Sequence, residues 1–145
     1  MNFYTIPFNN ITTEQLYKIY KLRSEVFIVE QNCAYQDVDE FDLQAHHVLI
    51  MNNNDLIAYA RILPPNANYL QPSIGRVLVE NNYRTKNYGK QLMIYCIEQT
   101  QLLFPKQQIV ISAQTYLLKF YTELGFTATG EGYFEDNIPH IKMYL

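Results

Sequence analysis

The chain has 145 residues, 48% hydrophobic and 17% charged, a composition for one globular domain that buries about two-thirds of its unfolded surface. A net charge of −3 and a pI near 5.5 leave no basic footprint for nucleic acid, and no apolar run approaches the roughly 18 residues that span a membrane. No basic segment precedes an apolar core at the N-terminus, and the two cysteines, Cys33 and Cys96, form no framework, so a reduced cytoplasmic protein is expected.

Phe3 to Phe8 alternates loosely and reads as a first strand. Thr12 and Gln15 have capping-box spacing, in which each side chain satisfies an orphan N–H at the other's position. Leu16, Ile19, Tyr20, Arg23, Val26 and Phe27 follow at helical spacing. Asn32–Asp42 is an acidic loop containing Tyr35 and Phe41. It is either a solvated loop or one wall of a pocket for a cationic substrate. His46–Met51 and Leu56–Leu63 flank the turn sequence Asn52-Asn53-Asn54-Asp55, which predicts a hairpin.

The chain is organised around Ser73–Leu103. Ile74, Val77, Leu78 and Val79 form a β-branched apolar run, a buried strand signal bounded by Pro72 and Glu80-Asn81-Asn82. From Gly89 onward Leu92, Met93, Cys96, Ile97, Leu103 and Phe104 recur at helical spacing, and Pro105 closes the helix. The loop Arg84–Lys90 lies between them. The first N–H groups of a helix lack partners and sit at the positive end of its dipole, so this loop suits a diphosphate. Gly89 allows a close approach, Asn87 tolerates a left-handed conformation, and Arg84, Lys86 and Lys90 add positive charge. The same residues also fit a plain solvated junction. Neither GxxxxGK[ST] nor GxGxxG is present, which argues against a nucleotide-hydrolysing loop and a dinucleotide fingerprint.

Ile109–Ile111 reads as a short strand. Thr115 is placed to cap a second helix through Leu117, Leu118, Phe120, Tyr121 and Leu124, stopped by Gly125. Phe126–Thr129 and Ile138–Tyr144 read as the last strands. The order β-α-β-β-β-α-β-α-β-β predicts a mixed α/β (α+β) layer fold around one sheet, in a single domain over residues 1–145.

Arg84-Thr85-Lys86-Asn87-Tyr88-Gly89 resembles the acyl-CoA-binding signature [QR]xxGx[GA] of the GNAT N-acetyltransferase superfamily, with Asn87 replacing the first glycine. Ser112-Ala113-Gln114, Phe120-Tyr121 and Gly125-Phe126 are similar to the second half of the GNAT core. Leu22–Gln31, His46-His47, Ala58–Arg61, Ile74–Val77 and Tyr133–Ile141 resemble the ElaA-like branch. The resemblance spans nearly the whole chain in order. It implies the GNAT fold, a central mixed sheet of about seven strands flanked by helices and splayed between the fourth and fifth. The pantetheine arm of acetyl-CoA is then inserted like a missing strand. The implied reaction is direct transfer of an acetyl group from acetyl-CoA to a primary amine in a ternary complex.

By that resemblance Arg84, Thr85, Lys86, Asn87, Tyr88, Gly89 and Lys90 hold the diphosphate. The backbone of Val77, Leu78 and Val79 meets the thioester carbonyl, where one donor is worth about 3 kcal/mol, and Gln114 also lies on the cofactor. Tyr121 matches the general acid that protonates the departing thiolate, with core packing as the alternative. Many relatives place a glutamate base where Ser73 stands, and serine cannot serve. The base then lies elsewhere, acts through water, or is unnecessary for an amine already partly neutral. Glu30, Asp42, His46, His47, Glu135 and His140 are the candidates, histidine being suited by its ordinary titration range, while Glu135-Asp136 with His140 reads more readily as a structural hydrogen-bond cluster at a turn. Adjacent His46 and His47 point to opposite strand faces, so at most one faces a cleft. No zinc-ligand spacing appears, and no metal is expected. The acceptor is a small-molecule or peptide amine, cationic if the acidic loop lines its pocket. A non-catalytic CoA-binding or sensing module and a protein lysine or N-terminal acetyltransferase stay open, as do monomer and homodimer.

Overall fold

A seven-stranded sheet of order β1-β2-β3-β4-β5-β7-β6 organises the computed structural model, which describes residues 1–145. The strands are β1 (Asn2–Pro7), β2 (His46–Asn52), β3 (Asp55–Leu63), β4 (Ser73–Val79), β5 (Val110–Gln114), β6 (Thr127–Glu135) and β7 (Ile138–Tyr144). The helices are α1 (Thr13–Arg23), α2 (Tyr88–Leu103) and α3 (Leu118–Glu123). This is the mixed architecture expected.

The capping box at the start of α1 is formed. Gln15 N donates to Thr12 Oγ1 at 3.1 Å, and Thr12 N donates to Gln15 Oε1 at 2.9 Å. The helix continues past Arg23 as wider π-helical turns over Ser24–Glu30. Ile19, Leu22, Val26 and Phe27 pack on one sheet face against Leu49, Tyr59 and Leu78. On the other face α2 packs Leu92, Met93 and Cys96 against Val48, Ile50 and Ile57. With both faces covered, β3 is buried from Leu56 to Leu63 without alternation.

β1 to β4 pair antiparallel, as do β5 with β7 and β7 with β6. β4 and β5 are parallel and touch at one pair, Ser73↔Val110, before they diverge. A bulge accompanies the divergence. Between Tyr59↔Leu78 and Arg61↔Gly75, Ala60 faces both Arg76 and Val77, and Arg76 takes φ 51°. An extra residue bends and twists a strand, here β4, the strand that parts from β5.

Two elements differ from expectation. Thr115 caps no helix. Thr115–Leu117 forms a 3-10 turn, α3 starts after an uncapped Leu117, and Thr115 Oγ1 donates instead to Pro139 O at 3.4 Å. The sixth strand runs on to Glu135, because a ladder irregularity between Thr129 and Tyr133 absorbs Gly130, at φ 77°, and Gly132. Those glycines interrupt the alternation that marks a strand.

Candidate active site

The divergence of β4 from β5 opens a cavity of about 590 Å³. Ile74 to Val79 of β4 form one arm, and Ser112 and Gln114 of β5 form the other. Phe120 and Tyr121 of α3 stand at its side. Ser73 lies buried where the two arms meet, its Oγ donating to Asn68 Oδ1 at 3.2 Å. It is a floor residue and not a base.

Val77, Leu78, Val79, Arg84, Gly89, Gln114 and Tyr121 line this cavity; Thr85, Lys86, Asn87, Tyr88 and Lys90 are not among its lining residues. Asn87 precedes the helix at φ 69°, the left-handed conformation its residue type tolerates, and no side chain caps the helix there. α2 is 16 residues long, so its first N–H groups carry a developed dipole. A Cβ on Gly89 would stand 3.8 Å from both Val79 Cγ2 and Phe120 Cζ. The glycine therefore leaves open a gap between β4 and α3 beside the helix N-terminus. These features fit a diphosphate.

Arg84 is not the free countercharge expected. Its Nε donates to Val79 O at 3.0 Å, while Nη1 and Nη2 donate to Glu30 Oε1 and Oε2 at 2.9 and 2.7 Å. It fastens the loop to the end of β4 and to the first helix. Lys86 lies over the Tyr83 ring, 5.7 Å from its centre.

Tyr121 is 7% exposed and packs edge-on to Phe120 and Phe126, with ring centres 5.1 and 6.1 Å away. Burial pushes its phenol up, with Tyr116 and Cys96 adding to the rise. It is protonated at neutral pH and lines the cleft, so both the packing and the acid readings describe the same side chain.

The acidic loop does form a wall, through Tyr35, Asp39 and Phe41, but its aspartates offer the cavity no free negative charge; Glu40, which is exposed, does not line it. Arg23 donates from Nε to Asp37 Oδ2 at 2.9 Å and from Nη1 to Asp42 Oδ1 at 2.7 Å. Arg61 Nη1 donates to Asp39 Oδ1 at 2.6 Å and to Asp42 Oδ1 at 2.9 Å. Arg76 Nε lies 2.8 Å from Asp37 Oδ1, an ion pair without hydrogen-bond alignment. Each aspartate is matched by an arginine. Burial opposes ionisation of Asp42, but its hydrogen bonds to Arg23 and Arg61 and their charges outweigh it and hold the carboxyl below its usual range. Nothing in the strand periodicity marked Arg61 or Arg76 as partners of this loop.

The base candidates separate by position. Asp42 and His47 lie in the interior. His47 Nε2 donates to Asp42 O at 3.0 Å, Nδ1 accepts from Tyr59 OH at 2.6 Å, and burial pushes the ring's pKa down. His46 is not among the cavity residues. Glu30 lines the cavity but is bound to Arg84 through both oxygens. Glu135 and His140 line it too. His140 Nδ1 donates to Ile138 O at 2.7 Å, Nε2 lies 3.6 Å from Glu135 Oε2, and Glu135 Oε1 accepts from Ser112 Oγ at 3.0 Å.

A parallel strand pair held together at one end, with a long helix opening beside the gap, is the frame of a GNAT N-acyltransferase. Residues 9–145 match the family model of the acetyltransferase (GNAT) domain, and the chain belongs to that family. Within it the chain belongs to the ElaA-like branch. It is 41% identical over 137 residues to protein ElaA of Escherichia coli, spanning 93% of this chain and 90% of that protein. It is 41% identical over 140 residues to a UPF0039 protein of Schizosaccharomyces pombe, spanning 95% and 92%. The crystal structure of E. coli ElaA superposes with a TM-score of 0.92 at 39% identity over 99% of both chains. An acyl-CoA N-acyltransferase from Pseudomonas aeruginosa superposes with a TM-score of 0.94 at 37% identity, again over 99% of both.

Proposed function

We propose that this protein transfers an acetyl group from acetyl-CoA directly to a primary amine in a ternary complex. One observation carries the reading: Tyr121, buried and protonated, lines the cavity that opens between β4 and β5 beside the N-terminus of α2. The description of the P. aeruginosa relative as an acyl-CoA N-acyltransferase supports it. So does the fold shared with an aminoglycoside 6'-N-acetyltransferase complexed with coenzyme A, at 15% identity and a TM-score of 0.75.

Each role follows from a requirement of the chemistry. The first N–H groups of α2, freed by the turn at Asn87 and approached through the gap at Gly89, hold the diphosphate. Lys86 and Lys90 add longer-range attraction. The β4 backbone from Val77 to Val79, just past the bulge, supplies donors to the thioester oxygen as negative charge builds there. Tyr121 gives its proton to the leaving thiolate.

Thermal unfolding with and without acetyl-CoA tests this reading. A ligand at about 100 times its dissociation constant stabilises by roughly 2.7 kcal/mol, a rise of about 5–10 °C for a domain of this size. The expected result is that rise with acetyl-CoA, none with ATP or NADH, and amine-dependent release of free thiol. No shift at millimolar acetyl-CoA overturns the reading. A shift with no thiol release from any amine marks a CoA-binding module without turnover.

A further inference from the structure

We infer that His140 is the general base of this site and that Glu135 positions it, so that the acceptor is an amine carried as an alkylammonium ion in water. The inference rests on the acetyl-transfer reading above. A protonated amine has no lone pair for attack, and a site without a base would be confined to amines already neutral.

The acceptors of the cavity leave little choice. Both oxygens of Glu30 are taken by Arg84. Asp39 is taken by Arg61 and reaches Arg76 at 3.4 Å. Asp136 sits exposed on the β6–β7 turn at φ 49°, where water competes for its carboxylate. His140 is 8% exposed. A carbonyl can only accept, so the 2.7 Å bond from Nδ1 to Ile138 O places the ring proton on Nδ1. In the neutral ring Nε2 then holds the lone pair.

The surroundings suit the proton's arrival. Nε2 lies 3.6 Å from Glu135 Oε2, too far for a good hydrogen bond but within ion-pair distance once the ring carries a second proton. Ser112 on β5 anchors Glu135 through its other oxygen. The Tyr133 ring stacks on His140 at 6.2 Å and 19°. His140 is in register with Gln114, on the arm of the cleft that leads through the 3-10 turn to Tyr121. The charged and titratable groups around it are Glu135 and Tyr133 on β6, Asp136 on the turn and Lys142 on its own strand, whose Nζ lies over the Tyr69 ring at 5.0 Å.

The protons balance. His140 Nε2 takes one from R–NH3+, leaving R–NH2 to form the C–N bond. The C–S bond breaks, Tyr121 protonates the thiolate, and the phenolate recovers a proton from the new amide nitrogen. His140 returns its proton to water. The sum is ammonium plus acetyl-CoA giving amide, free thiol and H+.

Ethylamine and trifluoroethylamine are near-isosteres, the first protonated and the second neutral at neutral pH, and free thiol reports both. His140→Gln is expected to lower kcat/KM for ethylamine about 10²-fold or more, and for trifluoroethylamine by less than about 3-fold. Glu135→Gln is expected to lower kcat/KM for ethylamine, by less than His140→Gln does, and to spare trifluoroethylamine likewise, since the ring loses the carboxylate 3.6 Å from Nε2. Equal loss on both amines reveals a structural role and overturns the proposal, as does loss on neither. The histidine tautomer, read by ¹⁵N NMR on the folded wild type, is expected to be Nδ1–H; the Nε2–H form also overturns it. If the wild type binds acetyl-CoA but releases thiol with neither of these amines nor with any other, the acetyl-transfer reading falls and the base with it.

Discussion

Arg84 and Glu30 join the loop before α2 to the end of the first helix by paired hydrogen bonds of 2.9 and 2.7 Å. The partners are 36% and 41% exposed, so the pair contributes less than about 1 kcal/mol. Glu30→Gln should therefore lower Tm by no more than about 3 °C and leave acetyl-CoA affinity within about 3-fold. Arg84→Ala should weaken binding about 10-fold, because it also cuts the loop from Val79 O. Calorimetric titration of both variants checks this. Tighter binding by Glu30→Gln would show that a released Arg84 swings to the phosphates.

Gly89→Ala separates folding from binding. The added methyl meets only ordinary contacts at 3.8 Å, and alanine is favoured over glycine in a helix by about 0.5–1 kcal/mol. Stability should hold or rise, while affinity for acetyl-CoA falls because the methyl enters the gap. Gly89→Leu should abolish binding. Paired Tm measurements with and without acetyl-CoA read both effects, and unchanged affinity in the leucine variant would move the phosphate site elsewhere.

Tyr121→Phe should lower turnover about 10²- to 10⁴-fold with cofactor affinity nearly unchanged. Burial and neighbouring groups, and no hydrogen bond, set the state of this phenol, so Tm should move by less than about 2 °C. Normal steady-state turnover of the variant would remove Tyr121 as the acid.

Stability should fall with pH in two stages. Burial lowers the pKa of His46, and of His47 despite the pull of Asp42. Their contribution is complete above the unfolded value of about 6.5 and is lost as pH falls through the folded values. Asp42, also depressed, contributes fully above about 3.9 and loses that contribution as pH falls further. Tm should thus be flat above about pH 7 and decline below it, and His47→Asn should flatten the upper stage. Asp42→Asn, which strands parts of Arg23 and Arg61 in the interior, should cost about 3–5 kcal/mol. Tm measured across pH for wild type and both variants tests the ordering.

Much of this was legible in the chain. The β-branched run from Ile74, the turn at Asn52–Asp55 and the box at Thr12 and Gln15 are local signals, and local physics realises them. The left-handed Asn87 could be read from its residue type and the motif it interrupts. The pairing of the Asp37–Asp42 segment with arginines could not, because Asp37 reaches Arg76 from 39 positions away. Tertiary ion pairs leave no periodic trace. Thr115 misled because the chain enters α3 through a tight 3-10 turn, where capping statistics do not apply. The divergence of β4 from β5 was accessible through family likeness alone, since hydrophobic spacing says nothing about which strands part.

The pairing of Arg23, Arg61 and Arg76 with Asp37, Asp39 and Asp42 gives the first wall of the cleft dipoles and aromatic faces but no net charge. If the acceptor is the alkylammonium ion proposed above, its charge meets carboxylates only across from that wall, at Glu135 and Asp136. On that proposal, a change of amine is reached by editing the β6–β7 hairpin and leaving the arginine–aspartate wall alone, since changes there would undermine folding before they altered choice.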